Sequence, residues 1–281
     1  MVLESVRAAQ PSRFFVALDG PRPGDEAACE AVRRLVADGV DWPCELELLQ
    51  RETNLGCRWS VSGAIDWFFE HVERGIILED DTVPSASFYP YCDALLEKFE
   101  NDEDIWMVSG VNLLGRWESQ GADYFFGHGG IWGWATWRRA WTRSDVAMTG
   151  WRDLDARARA AAFMGERDWT ANRPLFESTA DGAIDSWGYG WSYSRAAAGG
   201  LSAIPVVNLV RNVGFRSDAS HTVDAGSPLA HLPASELSFP LRHPRARAFD
   251  RAYQGGVARI EHPSLVGRVR GRVTKLAGRI R

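Results

Sequence analysis

The chain has 281 residues, 45% of them apolar and 25% charged, with a formal net charge of -5. That apolar content supports a full core in one large domain or two modest ones, and no apolar run approaches the roughly 18 to 20 residues that span a bilayer. The six cations between Arg268 and Arg281 have no acid among them, so the remaining body is more acidic than the whole and argues against nucleic acid as a partner. The N-terminus lacks the charged-then-apolar layout of a signal peptide, and Cys29, Cys44, Cys57 and Cys92 show neither paired metal spacing nor disulfide density. A cytoplasmic protein with reduced thiols is expected.

In chain order, Phe14 to Leu18 is a short apolar strand closed by the turn formers Asp19, Gly20 and Pro21. Ala27, Ala28, Ala31, Val32 and Leu35 then recur at helical steps. Residues 45 to 49 make a second strand, Asn54 to Gly56 a turn, and Ser60 is placed to cap a helix carrying Val61, Ile65, Phe68 and Val72. That helix leads into the strand ending in Glu79, Asp80 and Asp81. A helix with Phe88, Tyr91, Cys92, Leu95, Leu96 and Phe99 on one face follows, then a strand from Ile105 to Ser109. The alternation predicts a parallel, doubly wound α/β sheet. Residues 113 to 200 are rich in Trp and Gly, and a last strand runs from Ser202 to Val210.

The acidic triplet is the chemically richest feature. Three adjacent carboxylates repel one another and lose hydration on burial, so a cluster at a strand end points to a cation. Hard divalent ions such as Mg²⁺ or Mn²⁺ take oxygen ligands and complete their shells with substrate phosphates. Open α/β sheets also bind ligands at strand termini. A solvated acidic turn before Pro84 is the competing reading of the same residues.

Together, Leu78 to Asp81, the run Trp132 to Trp137, Asp185-Ser186-Trp187, and Asn212 to Phe215 with Asp218 to Thr222 resemble a bacterial glycosyltransferase group. That group, often labelled hemolytic-protein-like, is similar to the N-acetylglucosaminyltransferase I family of GT-A sugar transferases. The match is collinear from about residue 5 to 225. It implies a GT-A-like, mostly parallel doubly wound sheet in a single domain over 1–225, with a nucleotide-sugar half at 1–112 and an acceptor and catalytic half at 113–225. Residues 226–281 would be a C-terminal extension. By this resemblance Asp81 is the ligand of Mn²⁺ or Mg²⁺, and Glu79 and Asp80 face the nucleotide sugar. Asp185 is the base of an inverting transfer. Asp19 and Gly20 resemble the segment that meets the uridine or ribose of a UDP-sugar, with Arg51 and Asn54 in a second loop on the same sheet edge.

Each assignment has an ordinary structural alternative. Asp185 suits a helix N-cap, and the two loops suit plain turn chemistry. His221 could reach the metal or the diphosphate, or simply sit on the surface. Trp132, Trp134 and Trp137 could stack on sugar rings in the acceptor site, yet most of the 13 tryptophans must be core. The spacing of Trp134 and Trp137 also suits helix packing.

The resembling proteins usually begin with a further apolar strand carrying an Asn-Arg-Pro-like turn, whereas this chain starts inside what would be their first helix. The expectation is that this strand is missing here or lies upstream of Met1. The basic tail 266–281, with interleaved Val and Leu, could touch an anionic membrane surface or dock on the acidic body. The function expected is a metal-dependent inverting glycosyltransferase acting on a glycan or glycoconjugate acceptor; the alternative is a non-catalytic sugar- or nucleotide-binding protein on the same fold.

Overall fold

In the computed structural model, which describes residues 1–215 and 227–261, the opening elements fall where the sequence places them. Helix α1 (Val2–Ala9) precedes β1 (Arg13–Leu18), and α2 (Glu26–Gly39) crosses over to β2 (Glu45–Gln50), which pairs with β1 in parallel register. Helix α3 (Gly56–His71) starts four residues ahead of the predicted Ser60 cap, because its first turn is capped from another part of the chain. Phe15 of β1 packs edge-on against Trp67 and Phe68 of α3.

The principal sheet is mixed, which corrects the expectation of a mostly parallel one. It contains β3 (Arg74–Ile77), β5 (Ile105–Ser109), β6 (Tyr124–Gly127), β7 (Trp134–Trp137) and β8 (Leu201–Pro205), in the order β3-β7-β5-β8-β6. Only β5 and β8 run parallel; β3 with β7, β7 with β5 and β6 with β8 are antiparallel. From β5 through β6 to β7 the chain has no helix, so the crossover that parallel neighbours need is lacking there. The strand predicted from Ser202 to Val210 is divided. Its end, β9 (Val210–Asn212), pairs antiparallel with β4 (Thr82–Pro84) and so draws Asn212 to Phe215 against the acidic turn. Among the described residues β1 is hydrogen-bonded to β2 alone and β3 to β7 alone, and Val32, Leu35 and Leu48 are 47%, 60% and 41% exposed.

Apolar cores fill both faces of the principal sheet. One gathers Phe88, Tyr91, Cys92, Leu95 and Leu96 of α4 (Phe88–Lys98) with Trp137. The other gathers Ile65 and Phe69 of α3, Trp106, Trp134 and Trp141 with Trp187 and Trp191 of α8 (Trp187–Ala198). Trp134 and Trp137 are three apart on a strand, not a helix, and an odd step on a strand sends side chains to opposite faces. The short α5 (Arg138–Trp141) follows β7, and α6 (Leu154–Met164) and α7 (Glu166–Ala180) pack outside α8 around Met148, Trp151, Phe176 and Tyr193.

Beyond residue 226 the described chain is built into the same body. Glu236 accepts from the main-chain N–H groups of Ala86 and Ser87, Asp123 pairs with Arg242, and Asp250 accepts from the Trp117 indole. Tyr253 and Val257 of α9 (Arg251–Glu261) pack on Phe125 and Ile204. The basic tail 266–281 lies outside the described residues. Among the described residues no helix is long and apolar enough to cross a membrane.

Candidate active site

Glu79, Asp80 and Asp81 occupy a tight turn between β3 and β4. The Thr82 hydroxyl stitches this turn, donating to the Glu79 carbonyl at 2.9 Å and accepting from the Glu79 N–H at 3.0 Å. Thr82 is fully buried, so the turn is anchored from beneath. All three acids line a cleft of about 950 Å³. Burial, and then the charges of Asp81 and Asp80, push the Glu79 carboxyl up to about 7, against the opposing pull of a hydrogen bond from the Trp187 side chain. Asp81 accepts from the Asn212 amide at 3.3 Å, and its carbonyl accepts from the Val213 N–H at 2.8 Å. A Cβ on Gly214 would stand 2.2 Å from the Asp81 Oδ2, so only glycine leaves that carboxylate its place.

The donor set fits a hard divalent ion. It is all oxygen, it is crowded with like charge, and Gly214 keeps room beside Asp81. Among the described residues no group of three His, Cys, Asp or Glu side chains is placed to hold a metal ion by itself. Mg²⁺-type sites typically use one or two carboxylates with water and substrate phosphate.

Asp185 sits just before α8, and both its oxygens are engaged. Oδ2 accepts from the Cys57 N–H at 2.8 Å and Oδ1 from the Arg58 N–H at 2.9 Å, so Asp185 caps the N-terminus of α3 across 127 and 128 residues of sequence. Gly56, at φ +78°, makes room for it; a Cβ there would lie 2.5 Å from Oδ2. The Arg58 guanidinium reinforces the junction by donating to the carbonyls of Thr179 and Ile184. Capping was the ordinary alternative for Asp185, and the structure realises it on a different helix from the one Asp185 precedes. Its neighbours Cys57, Ser186 and Trp187 line the cleft. Burial, then Glu79 and Asp185, push the Cys57 thiol up to about 11, so this thiol stays protonated at neutral pH.

The two loops expected on the donor side meet each other. Asp19 accepts from the Asn54 amide at 3.0 Å and the Leu55 N–H at 3.1 Å, and Asn54 also donates to the Gly20 carbonyl at 3.1 Å. The close backbone approach that Gly20 permits is to Thr53, whose carbonyl carbon is 2.3 Å from where a Cβ would lie. Arg51 donates to the Ser60 carbonyl and lies over Gly63. These four residues form a satisfied loop junction outside the cleft lining.

Of the three tryptophans expected at an acceptor site, Trp134 and Trp137 are 0% and 2% exposed and belong to the two cores. Trp134 stacks on Trp187 at 5.6 Å and 18°, and the Trp137 indole donates to the Leu96 carbonyl. Only Trp132 lines the cleft, edge-on to Phe215 at 5.5 Å. His221 lies outside the described residues.

The cleft wall includes Gly129, Gly130 and Trp187, which the sequence reading sets near the site, and Cys57, His128, Ser192 and Arg195, for which it gives no site role. Burial and the neighbouring Arg195 charge drive the His128 imidazole down to about 3, so it is neutral at ordinary pH, with Nε2 3.2 Å from the Ser192 carbonyl. The visible signal was the density of glycine around His128, an arrangement that brings main chain to a surface. Comparison of the chain with protein-family models and with curated proteins gives no match.

Proposed function

We propose that this protein is a metal-dependent inverting glycosyltransferase of GT-A type, moving a sugar from a nucleotide-diphosphate donor, a UDP-sugar in the first instance, to a glycan or glycoconjugate acceptor. The observation that carries the reading is the turn Glu79-Asp80-Asp81 at the wall of a cleft large enough for a nucleotide sugar, with Glu79 charge-crowded and Gly214 shaped to Asp81. Asp81 would hold Mn²⁺ or Mg²⁺, with Asp80 beside it toward the nucleotide sugar; the ion supplies neutralisation of the charge that develops on a departing diphosphate. Glu79, positioned by Trp187, faces the donor. Trp132 offers an aromatic face to a sugar ring. Asp185, itself outside the cleft lining but next to the lining residues Cys57 and Ser186, is the carboxylate assigned to accept the acceptor's hydroxyl proton; each of its oxygens keeps a second lone pair for that purpose.

The double engagement of Asp185 by main-chain amides favours a second reading, a nucleotide-sugar-binding protein without turnover. The two are separated by product. A panel of nucleotide sugars with Mn²⁺ yields free nucleoside diphosphate if the chain is a transferase. Ligand-dependent thermal stabilisation with no diphosphate released would establish the binder instead.

A further inference from the structure

The inner wall of the cleft carries chemistry of the opposite sign to the acidic turn. Arg195 of α8 is 1% exposed, and its guanidinium donates to the His128 carbonyl, to Ser202 Oγ at 2.7 Å and to the Gly129 carbonyl at 3.4 Å. Ser202 Oγ also donates to the His128 carbonyl at 2.6 Å, and Ser109 Oγ donates to the Gly130 carbonyl at 2.7 Å. Three successive peptide carbonyls, those of His128, Gly129 and Gly130, are therefore turned toward buried donors. A trans peptide holds its C=O and N–H on opposite sides. The amides of Gly129, Gly130 and Ile131 consequently point away from the donors that hold the carbonyls, and all three residues, with Arg195, line the cleft. Among the described residues none of the three amides has a hydrogen-bond acceptor.

Among the described residues the buried Arg195 Nε has no partner, and no carboxylate there pairs with this guanidinium. Burial lowers the Arg195 pKa to about 9, and Asp168 and Glu261 line the same cleft from α7 and α9. A buried cation without a counter-ion is costly, and successive main-chain N–H groups facing one way make an anion-binding concavity.

We propose that the amides of Gly129, Gly130 and Ile131, backed by Arg195, form an oxyanion subsite that receives a carboxylate, phosphate or sulfate group of the acceptor. This rests on the cleft being the substrate site of the proposed transferase, and it narrows the acceptor to an anionic glycan or phosphorylated carrier. The donor diphosphate has its place at the acidic turn, where a cation bridges like charges; the inner wall needs no metal.

The test is titration of the ¹⁵N-labelled full chain at fixed ionic strength with inorganic sulfate and with methyl glucuronide, using methyl glucoside as the neutral control. Saturable shifts at the Gly129, Gly130 and Ile131 amides are expected, with the glucuronide binding about tenfold more tightly than the glucoside. The shifts should persist with UDP and Mn²⁺ present and vanish in Arg195→Met. If that variant does not fold, the wild-type titration decides alone. Amides unmoved by either anion would overturn the subsite, and anion shifts abolished by UDP would overturn its assignment to the acceptor. Neither readout depends on turnover, so failure of the catalytic reading would appear separately in the diphosphate-release assay.

Discussion

Replacing Asp185 separates its observed capping from its proposed role as base. As a cap it satisfies two main-chain donors of α3, at 2.8 and 2.9 Å. Loss of an N-cap side chain costs about 0.5 to 2 kcal/mol, and loss of a negative charge at a helix N-terminus about 0.3 to 1 kcal/mol more. Asp185→Ala should therefore destabilise by about 1 to 3 kcal/mol, a fall in Tm of roughly 2 to 10 °C for a chain of this size. Asp185→Asn keeps one acceptor oxygen and should lose about half as much. Activity obeys a different scale. Removing a general base costs about 10² to 10⁴ in rate, or roughly 3 to 5 kcal/mol in the barrier. At a temperature where both variants remain folded, Asn and Ala should be nearly equally inactive while differing in stability. The assay is kcat for sugar transfer beside urea unfolding of the same preparations. If Asp185→Asn turns over within about twofold of the parent while losing about 1 kcal/mol of stability, Asp185 is a cap and not the base.

Three further outcomes follow from the geometry. Gly214→Ala brings a Cβ to 2.2 Å from the Asp81 Oδ2 and should raise the Mn²⁺ concentration needed for half-maximal activity by tenfold or more, in the order of one displaced ligand contact, with little change in acceptor KM. His128 stays neutral in the folded chain down to about pH 3, whereas the unfolded chain takes up that proton near 6.5; the native state thus loses about 1.4 kcal/mol per pH unit as pH falls below 6.5. Urea unfolding should show the parent losing about 2 kcal/mol more than His128→Gln between pH 6.5 and 5, and parallel profiles would refute the burial argument. Trp132→Ala should raise acceptor KM with stability nearly intact, whereas Trp134→Ala should cost about 3 to 5 kcal/mol of folding free energy, as expected for a core ring stacked on Trp187.

Local patterns foretold local structure well. The apolar stripe from Phe88 to Phe99 became α4 with the expected buried face, and Phe14 to Leu18 became β1. What failed was pairing. Nothing in the residues around Trp134 announces that β7 will lie between β3 and β5 in antiparallel register, since alternation reveals a strand but not its neighbours. The same limit hid the site's inner wall. Arg195 and His128 are 67 residues apart, and their meeting depends on α8 packing behind the loop that follows β6. Asp185 was visible as an acid of consequence; that it would cap α3, 127 residues earlier, was not. The acidic turn was legible because its chemistry is contiguous: three carboxylates in a row describe a charged site whatever the tertiary fold.

Calorimetric titration of UDP into the protein, with and without Mn²⁺, for the parent and for Asp81→Asn, bears most directly on a cation at the acidic turn. Saturable UDP binding that requires Mn²⁺ in the parent and disappears in the folded Asp81→Asn chain is the predicted result. UDP binding of equal strength without the ion, or unchanged in the variant, would contradict it.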